Sequence, residues 1–142
     1  MNTSLWLIDD DSAYVNLLRA HLERAISGVE ISQFVNCVSV TRALESEIRP
    51  SGVILDMMLP WDECDKASWL LSGENPAKNG IRLAECLIAR GIHSNVIGVI
   101  TAVYEASYRE PLTNLGIPAS NIIIKPAPVD EIIRLVKRIT AT

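Results

Sequence analysis

An α/β fold built on a parallel sheet is predicted by two features of this 142-residue chain. The first is a set of short apolar runs that each stop at a polar signal. Leu5-Trp6-Leu7-Ile8 ends in Asp9-Asp10-Asp11, Val53-Ile54-Leu55 in Asp56, Val96-Ile97-Gly98-Val99-Ile100 in Thr101-Ala102, and Ile122-Ile123-Ile124 in Lys125-Pro126. Continuous apolar runs of this length read as strands buried on both faces, and polar groups at their carboxyl ends gather where open α/β sheets bind ligands. The second feature is strict alternation of strand-like and helix-like segments, which calls for right-handed βαβ crossovers.

The elements follow in order. After the first strand, Val15, Leu18, Leu22 and Ile26 form one helical stripe, with Asp11 as a candidate N-cap and Ser27-Gly28 as a stop. Val29 to Val35 fits a second strand, and Val38 to Ile48 a second helix ended by Pro50. The third strand is expected over Gly52 to Asp56. Asn79 can cap a helix through Ile81, Leu83, Ala84, Leu87 and Ile88, with Gly91 beyond it. The fourth strand leads to a less regular helix around Tyr104 to Leu115, and the fifth strand to a last helix. Pro128, then Asp130-Glu131 near its start and Lys137-Arg138 near its end, mark that helix; its stripe is Val129, Ile132, Ile133, Val136 and Ile139.

Composition excludes several function classes. With 49% hydrophobic residues, a net charge of −4 and no basic stripe, the chain has no electrostatic bias toward nucleic acid or membrane. No apolar run reaches the roughly 20 residues of a membrane span, and no secretory leader precedes the first strand, so a cytoplasmic location is expected. Cys37, Cys64 and Cys86 show no ligand spacing with His21 or His93 and read as reduced thiols, Cys64 being the candidate for exposure. His21 reads as a helix-surface or packing residue and His93 as solvated.

The carboxylates carry the chemistry. Asp9 and Asp10, crowded at a buried strand end, are costly without a cation, and Mg²⁺ takes two or three carboxylates while keeping several waters. Asp9, Asp10 and Asp56 are the candidate ligands. A carboxylate is also a workable nucleophile toward phosphorus once a cation offsets the repulsion between anions. A plainer reading makes Asp9 to Asp11 a strand end and a helix cap, Asp56 a loop start and Lys125 a strand terminus. An ammonium following three isoleucines argues against that last reading.

The order and wording of LIDDD, ILDMMLP (54–60), VITA (99–102) and IIIKP (122–126) resemble the receiver domain of two-component response regulators over nearly the whole chain. The resemblance implies a flavodoxin-like, doubly wound, five-stranded parallel sheet in one domain over 1–142, and Mg²⁺-dependent phosphorylation of Asp56. By the same resemblance, Asp10 and Asp56 touch the metal, Asp9 acts through water, and the Met58 carbonyl supplies a further ligand. Thr101 would hydrogen-bond a phosphoryl oxygen, and Lys125 would pair with a carboxylate at rest and the phosphoryl group afterwards. The donor would be a histidine kinase or phosphotransfer protein, with output through an unknown protein partner, since the last helix ends almost at the C-terminus. The domain is expected to catalyse only its own phosphorylation and slow dephosphorylation.

Three departures from the receiver pattern stand out. Trp61 to Lys78 separate Pro60 from Asn79-Gly80 where receivers carry only a few residues, an insertion of roughly fifteen, beyond ordinary connection lengths. Trp61, Trp69, Leu70 and Leu71 make it apolar, which suits either an extra helix folded back on the domain or a surface for a partner or a homodimer. Trp61, one residue past Pro60, is expected near the acidic pocket. Ile122 stands where active receivers place Tyr or Phe, and Ala127 where phenylalanine is frequent.

Other classes fit less well. An aspartate-nucleophile phosphatase of the haloacid-dehalogenase type wants a second aspartate where Met58 stands, and a dinucleotide-binding module wants a Gly-rich first turn where this one is acidic. A pseudo-receiver that binds partners without phosphate is the remaining alternative.

Overall fold

A computed structural model describes residues 2–62, 77–102 and 106–141. Five strands form one parallel sheet: β1 (Thr3–Ile8), β2 (Val29–Phe34), β3 (Gly52–Leu55), β4 (Ile97–Thr101) and β5 (Ile122–Ile124), in the order β2-β1-β3-β4-β5. The helices are α1 (Ser12–Ala25), α2 (Cys37–Ala43), α3 (Ala77–Ala89), α4 (Ala106–Asn114) and α5 (Val129–Thr140). Short 3₁₀ turns at Ser94–Val96 and Ala119–Asn121 lead into β4 and β5.

Side-chain alternation along each strand sorts the core into two layers. Leu5, Leu7, Ile54, Ile100 and Ile123 face α1 and α5, where Val15, Leu18, Leu22, Ile132, Leu135, Val136 and Ile139 meet them. Trp6, Ile8, Val53, Leu55, Ile97 and Val99 point the other way, against residues of α2, α3 and α4 that include Val40, Leu83, Leu87 and Leu112. The sheet is therefore doubly wound, and its central strands β3 and β4 are buried on both faces, as their continuous apolar runs require, while Glu30 and Ser32 of the edge strand β2 are exposed. The chain reverses its direction of growth between β1 and β3, and this switch point opens a crevice at the carboxyl ends of those two strands. Asp9 and Asp56 are the first residues past them.

Several boundaries differ from expectation by a residue, as strand and helix ends do: β2 stops at Phe34 and β3 at Leu55, although the Asp56 N–H still bonds the Ile8 carbonyl at 2.9 Å. The second helix is shorter than its apolar pattern. It begins at Cys37, capped by the Asn36 side chain on the Ser39 N–H, and ends at Ala43 rather than Ile48. Beyond it, the Arg49 guanidinium donates to the carbonyls of Leu44, Ser46 and Ile48, and to Arg90 at the end of α3. One side chain thus replaces the helix ladder for the orphan carbonyls of two helix ends. The last helix also buries Leu135, which the expected stripe omitted; Pro128 stands at its N-cap.

Asn79 does not cap α3, which starts two residues earlier; its side-chain amide donates instead to the Leu59 carbonyl at 2.9 Å. Gly80 follows and brings the helix onto the loop after β3. A Cβ there would lie 2.4 Å from the Met57 Cα and 2.7 Å from its carbonyl oxygen, which accepts the Gly80 N–H at 3.1 Å. Gly80→Ala is therefore expected to destabilise the fold by about 2 kcal/mol, overpacking outweighing a helix-propensity gain of about 1 kcal/mol. Urea unfolding reads this directly, and an unchanged or raised midpoint would count against the close approach.

The start of the insertion is tied down as well. The Cys37 and Val38 N–H groups of α2 donate to the carbonyls of Pro60 and Trp61 at 3.0 and 2.9 Å, and the Arg82 guanidinium of α3 lies 4.1 Å from the Trp61 ring centroid. Trp61 thus packs over the α2–α3 layer and is not among the residues that wall the acidic crevice. Trp69, Leu70, Leu71 and Cys64, and the Tyr104 start of the fourth helix, lie outside the described residues. Cys37 is buried and Cys86 half-buried; His21 is half-buried on α1 and His93 exposed. Among the described residues, no helix is long and apolar enough to cross a membrane.

Candidate functional site

The crevice at the switch point is walled by Asp9, Asp10, Asp11, Ser12, Asp56, Met58 and Lys125. Each comes from the first residues after a strand, so the parallel sheet itself brings together groups as far as 116 positions apart in the chain. Asp9 and Asp56 are buried, and carboxylate oxygens of Asp9, Asp10 and Asp56 lie within 4.8 Å of one another. The turn after β1 holds its acids in place locally. An Asp9 carboxylate oxygen accepts the Asp11 N–H at 2.9 Å, and the Asp11 side chain caps α1 through the Tyr14 N–H at 3.1 Å. Asp11 thus serves as the helix cap.

Asp56 accepts the Met58 N–H through Oδ1 at 3.2 Å, which orients its carboxylate while leaving Oδ2 toward Lys125. The Lys125 Nζ lies 3.1 Å from Asp9 Oδ2 and 3.4 Å from Asp56 Oδ2, bridging the two strand ends. Its backbone is fixed by an N–H bond of 2.8 Å to the Thr101 carbonyl, which joins the ends of β4 and β5. Thr101 is fully buried at the carboxyl end of β4. Met58 exposes its side chain on the rim of the crevice.

Electrostatics follow from this crowding. Burial pushes the Asp56 carboxyl up to about 6, with the negative charge of Asp9 adding to the rise; the Lys125 ammonium and the Met58 N–H oppose it. For Lys125, burial alone would lower the pKa, but Asp56 and Asp9 together outweigh it and the net shift is upward. One ammonium facing three carboxylates leaves an excess of negative charge in a partly dry crevice. A hard divalent cation with oxygen ligands fits that donor set.

Tyr14 is the neighbour that sequence reading missed. Its ring stands 4.6 Å from the Lys125 Nζ, measured to the centroid, and it lines a small pocket beneath the site with Asp9 and Asp56. The only hint in the sequence is its place in the first turn of α1, five residues after Asp9.

No protein-family profile matches the sequence, and no curated protein matches it. Solved structures do. A signal receiver domain of a two-component histidine kinase from Clostridium thermocellum superposes with a TM-score of 0.74 at 14% identity, over 100% of both chains. The fold is that of a response-regulator receiver domain. The non-phosphorylated HemR receiver domain from Leptospira biflexa matches at TM-score 0.73 and 21% identity, over 99% of this chain and 96% of that one. A response regulator from Burkholderia pseudomallei, solved with a phosphorylated aspartic acid, a calcium ion and citrate, matches at TM-score 0.68 and 19% identity, over 95% of this chain and 66% of its own. At these identities the receiver fold is what is shared, and the chemistry rests on the crevice residues themselves.

Proposed function

We propose that this chain works as a phosphoacceptor receiver: Asp56 takes a phosphoryl group from a histidine kinase or phosphotransfer protein, and the phosphorylated form signals through a protein partner. The observation that carries the reading is the convergence of Asp9, Asp10 and Asp56 within 4.8 Å, bridged by Lys125, at the switch point of a receiver fold. The Burkholderia response regulator, solved with a phosphorylated aspartic acid and a calcium ion, carries the kind of modification proposed here.

Asp56 Oδ2 attacks phosphorus and forms an acyl phosphate, while the bond from phosphorus to the donor breaks and its electron pair leaves with the donor. Asp9, Asp10, the Asp56 carboxylate and the Met58 carbonyl would hold Mg²⁺, which supplies positive charge against the incoming phosphoryl oxygens. The Met58 N–H keeps Asp56 Oδ1 occupied, so the second oxygen is the one presented. Lys125 trades its bond to Asp56 Oδ2 for one to a phosphoryl oxygen while keeping Asp9, and the Thr101 hydroxyl donates to another. Water later attacks phosphorus, the bond from phosphorus to Asp56 Oδ2 breaks, and inorganic phosphate leaves as the carboxylate is restored. Such a domain serves as its own catalyst and has no turnover substrate beyond its donor.

Radiolabelled acetyl phosphate tests the reading. Label is expected to enter the protein with Mg²⁺, to be blocked by EDTA, and to leave on treatment with hydroxylamine, which cleaves acyl phosphates. Protein that takes no label under these conditions would be an interaction module working without phosphate, and the proposal would fall.

A further inference from the structure

We propose that Tyr14 is a positioning residue for phosphoryl transfer, holding Lys125 by its ring face and sensing the lysine's change of partner; the inference rests on Asp56 being the acceptor. The groups close to the ammonium include Asp9 Oδ2 at 3.1 Å, Asp56 Oδ2 at 3.4 Å and the Tyr14 ring with its centroid at 4.6 Å. The first is needed throughout, and the second is consumed when Asp56 becomes an acyl phosphate. The ring attracts the cation through its quadrupole but offers no lone pair, so it steadies Lys125 without competing with a phosphoryl oxygen for the ammonium protons.

The placement of Tyr14 is itself built from the site. Its N–H is the one capped by Asp11, whose own N–H bonds Asp9, so ring and metal-ligand candidate share one short turn, and both meet the lysine that follows β5. The ring is half-buried against the α1–α5 layer and lines the pocket under Asp56, which restricts where it can go. In β5, where receivers carry an aromatic side chain that follows phosphorylation, this chain has Ile122, packed against the opposite layer. Tyr14 is an aromatic group in contact with Lys125 and is therefore placed to feel its movement.

The labelling rate of Asp56 from acetyl phosphate at saturating Mg²⁺ tests the positioning role. Tyr14→Leu, which removes the ring face, is expected to slow labelling roughly threefold to thirtyfold, the range a partly desolvated cation–π contact supports. Tyr14→Phe keeps the face and is expected to label at close to the parent rate. Equal rates for Leu and parent, or equal slowing by Leu and Phe, would overturn the inference. A variant-free reading comes from the parent carrying 3-fluorotyrosine. The ¹⁹F signal assigned to Tyr14 by its absence in Tyr14→Phe is expected to shift when beryllium fluoride is added to Mg²⁺-saturated protein, and a stationary signal would overturn the inference even if the leucine variant fails to fold. Parent protein that takes no label at all would overturn the phosphoacceptor reading first and this inference with it, a result distinct from a labelled parent matched by Tyr14→Leu.

Discussion

Replacing Lys125 with methionine is expected to slow labelling of Asp56 by about tenfold to a hundredfold at saturating Mg²⁺, the worth of one charge-assisted hydrogen bond to a phosphoryl oxygen. The same change is expected to destabilise the metal-free protein by about 2 kcal/mol at pH 7. Removing one partner from a fully buried ion pair costs about 3–5 kcal/mol, and the Lys125 side chain, 24% exposed, is reached by enough water to soften that. Mg²⁺ should recover most of the lost stability, because it restores positive charge among Asp9, Asp10 and Asp56, but it should not recover the labelling rate. Urea unfolding with and without Mg²⁺, beside a labelling time course, separates the two effects. A variant that labels within twofold of the parent would remove Lys125 from the transfer step.

Asp56→Asn is expected to act in the opposite direction on stability. In the metal-free fold the Asp56 carboxyl is held up at about 6, above its ordinary 3.8, so the native state binds a proton more tightly than the unfolded chain does. Stability must then fall as pH rises through the window from about 4 to about 6, and the cost of the ionised, buried carboxylate is fully present above it. Two pKa units correspond to about 3 kcal/mol, a net figure that already contains the attraction to Lys125 and that water reaching the crevice reduces. Asparagine at 56 keeps an oxygen for the Met58 N–H and carries no charge. We therefore expect it to stabilise the protein by about 2 kcal/mol at pH 7 in EDTA, with the difference vanishing near pH 4. A stabilisation that persists undiminished at pH 4 would mean that charge burial is not its cause.

Much of the sheet and most of the crevice were legible in the chain because the strongest local signals coincide there. Runs such as Val53-Ile54-Leu55 are apolar on both faces only when buried on both faces, and a parallel sheet must then place Asp9, Asp56, Thr101 and Lys125 along one edge. The doubly wound receiver architecture follows from that alternation, and the structure shows it. What the sequence concealed depends on side chains that meet across long separations. The contact of Tyr14 with Lys125 joins the first helix to the last strand, and nothing in the spacing of α1 distinguishes that ring from an ordinary half-buried tyrosine. Arg49 caps the chain just past α2 and α3 through the carbonyls of Leu44 and Arg90, a contact invisible in the apolar pattern through Ile48. Trp61 was placed by its proximity to Asp56 in sequence, whereas the hydrogen bonds from α2 to Pro60 and Trp61 turn the chain toward Arg82. Asn79 looked like a cap because asparagine often is one, yet its amide holds the Leu59 carbonyl and leaves the close approach to Gly80.

Intact-mass measurement of the parent and of Asp56→Ala, each incubated with acetyl phosphate in Mg²⁺ or in EDTA, addresses the phosphoacceptor assignment most directly. The parent in Mg²⁺ should gain one phosphoryl group, while the parent in EDTA and the alanine variant under both conditions should gain none. An alanine variant that gains the group as readily as the parent would contradict Asp56 as the acceptor, and a parent that gains it equally well in EDTA would contradict the role given to Asp9 and Asp10.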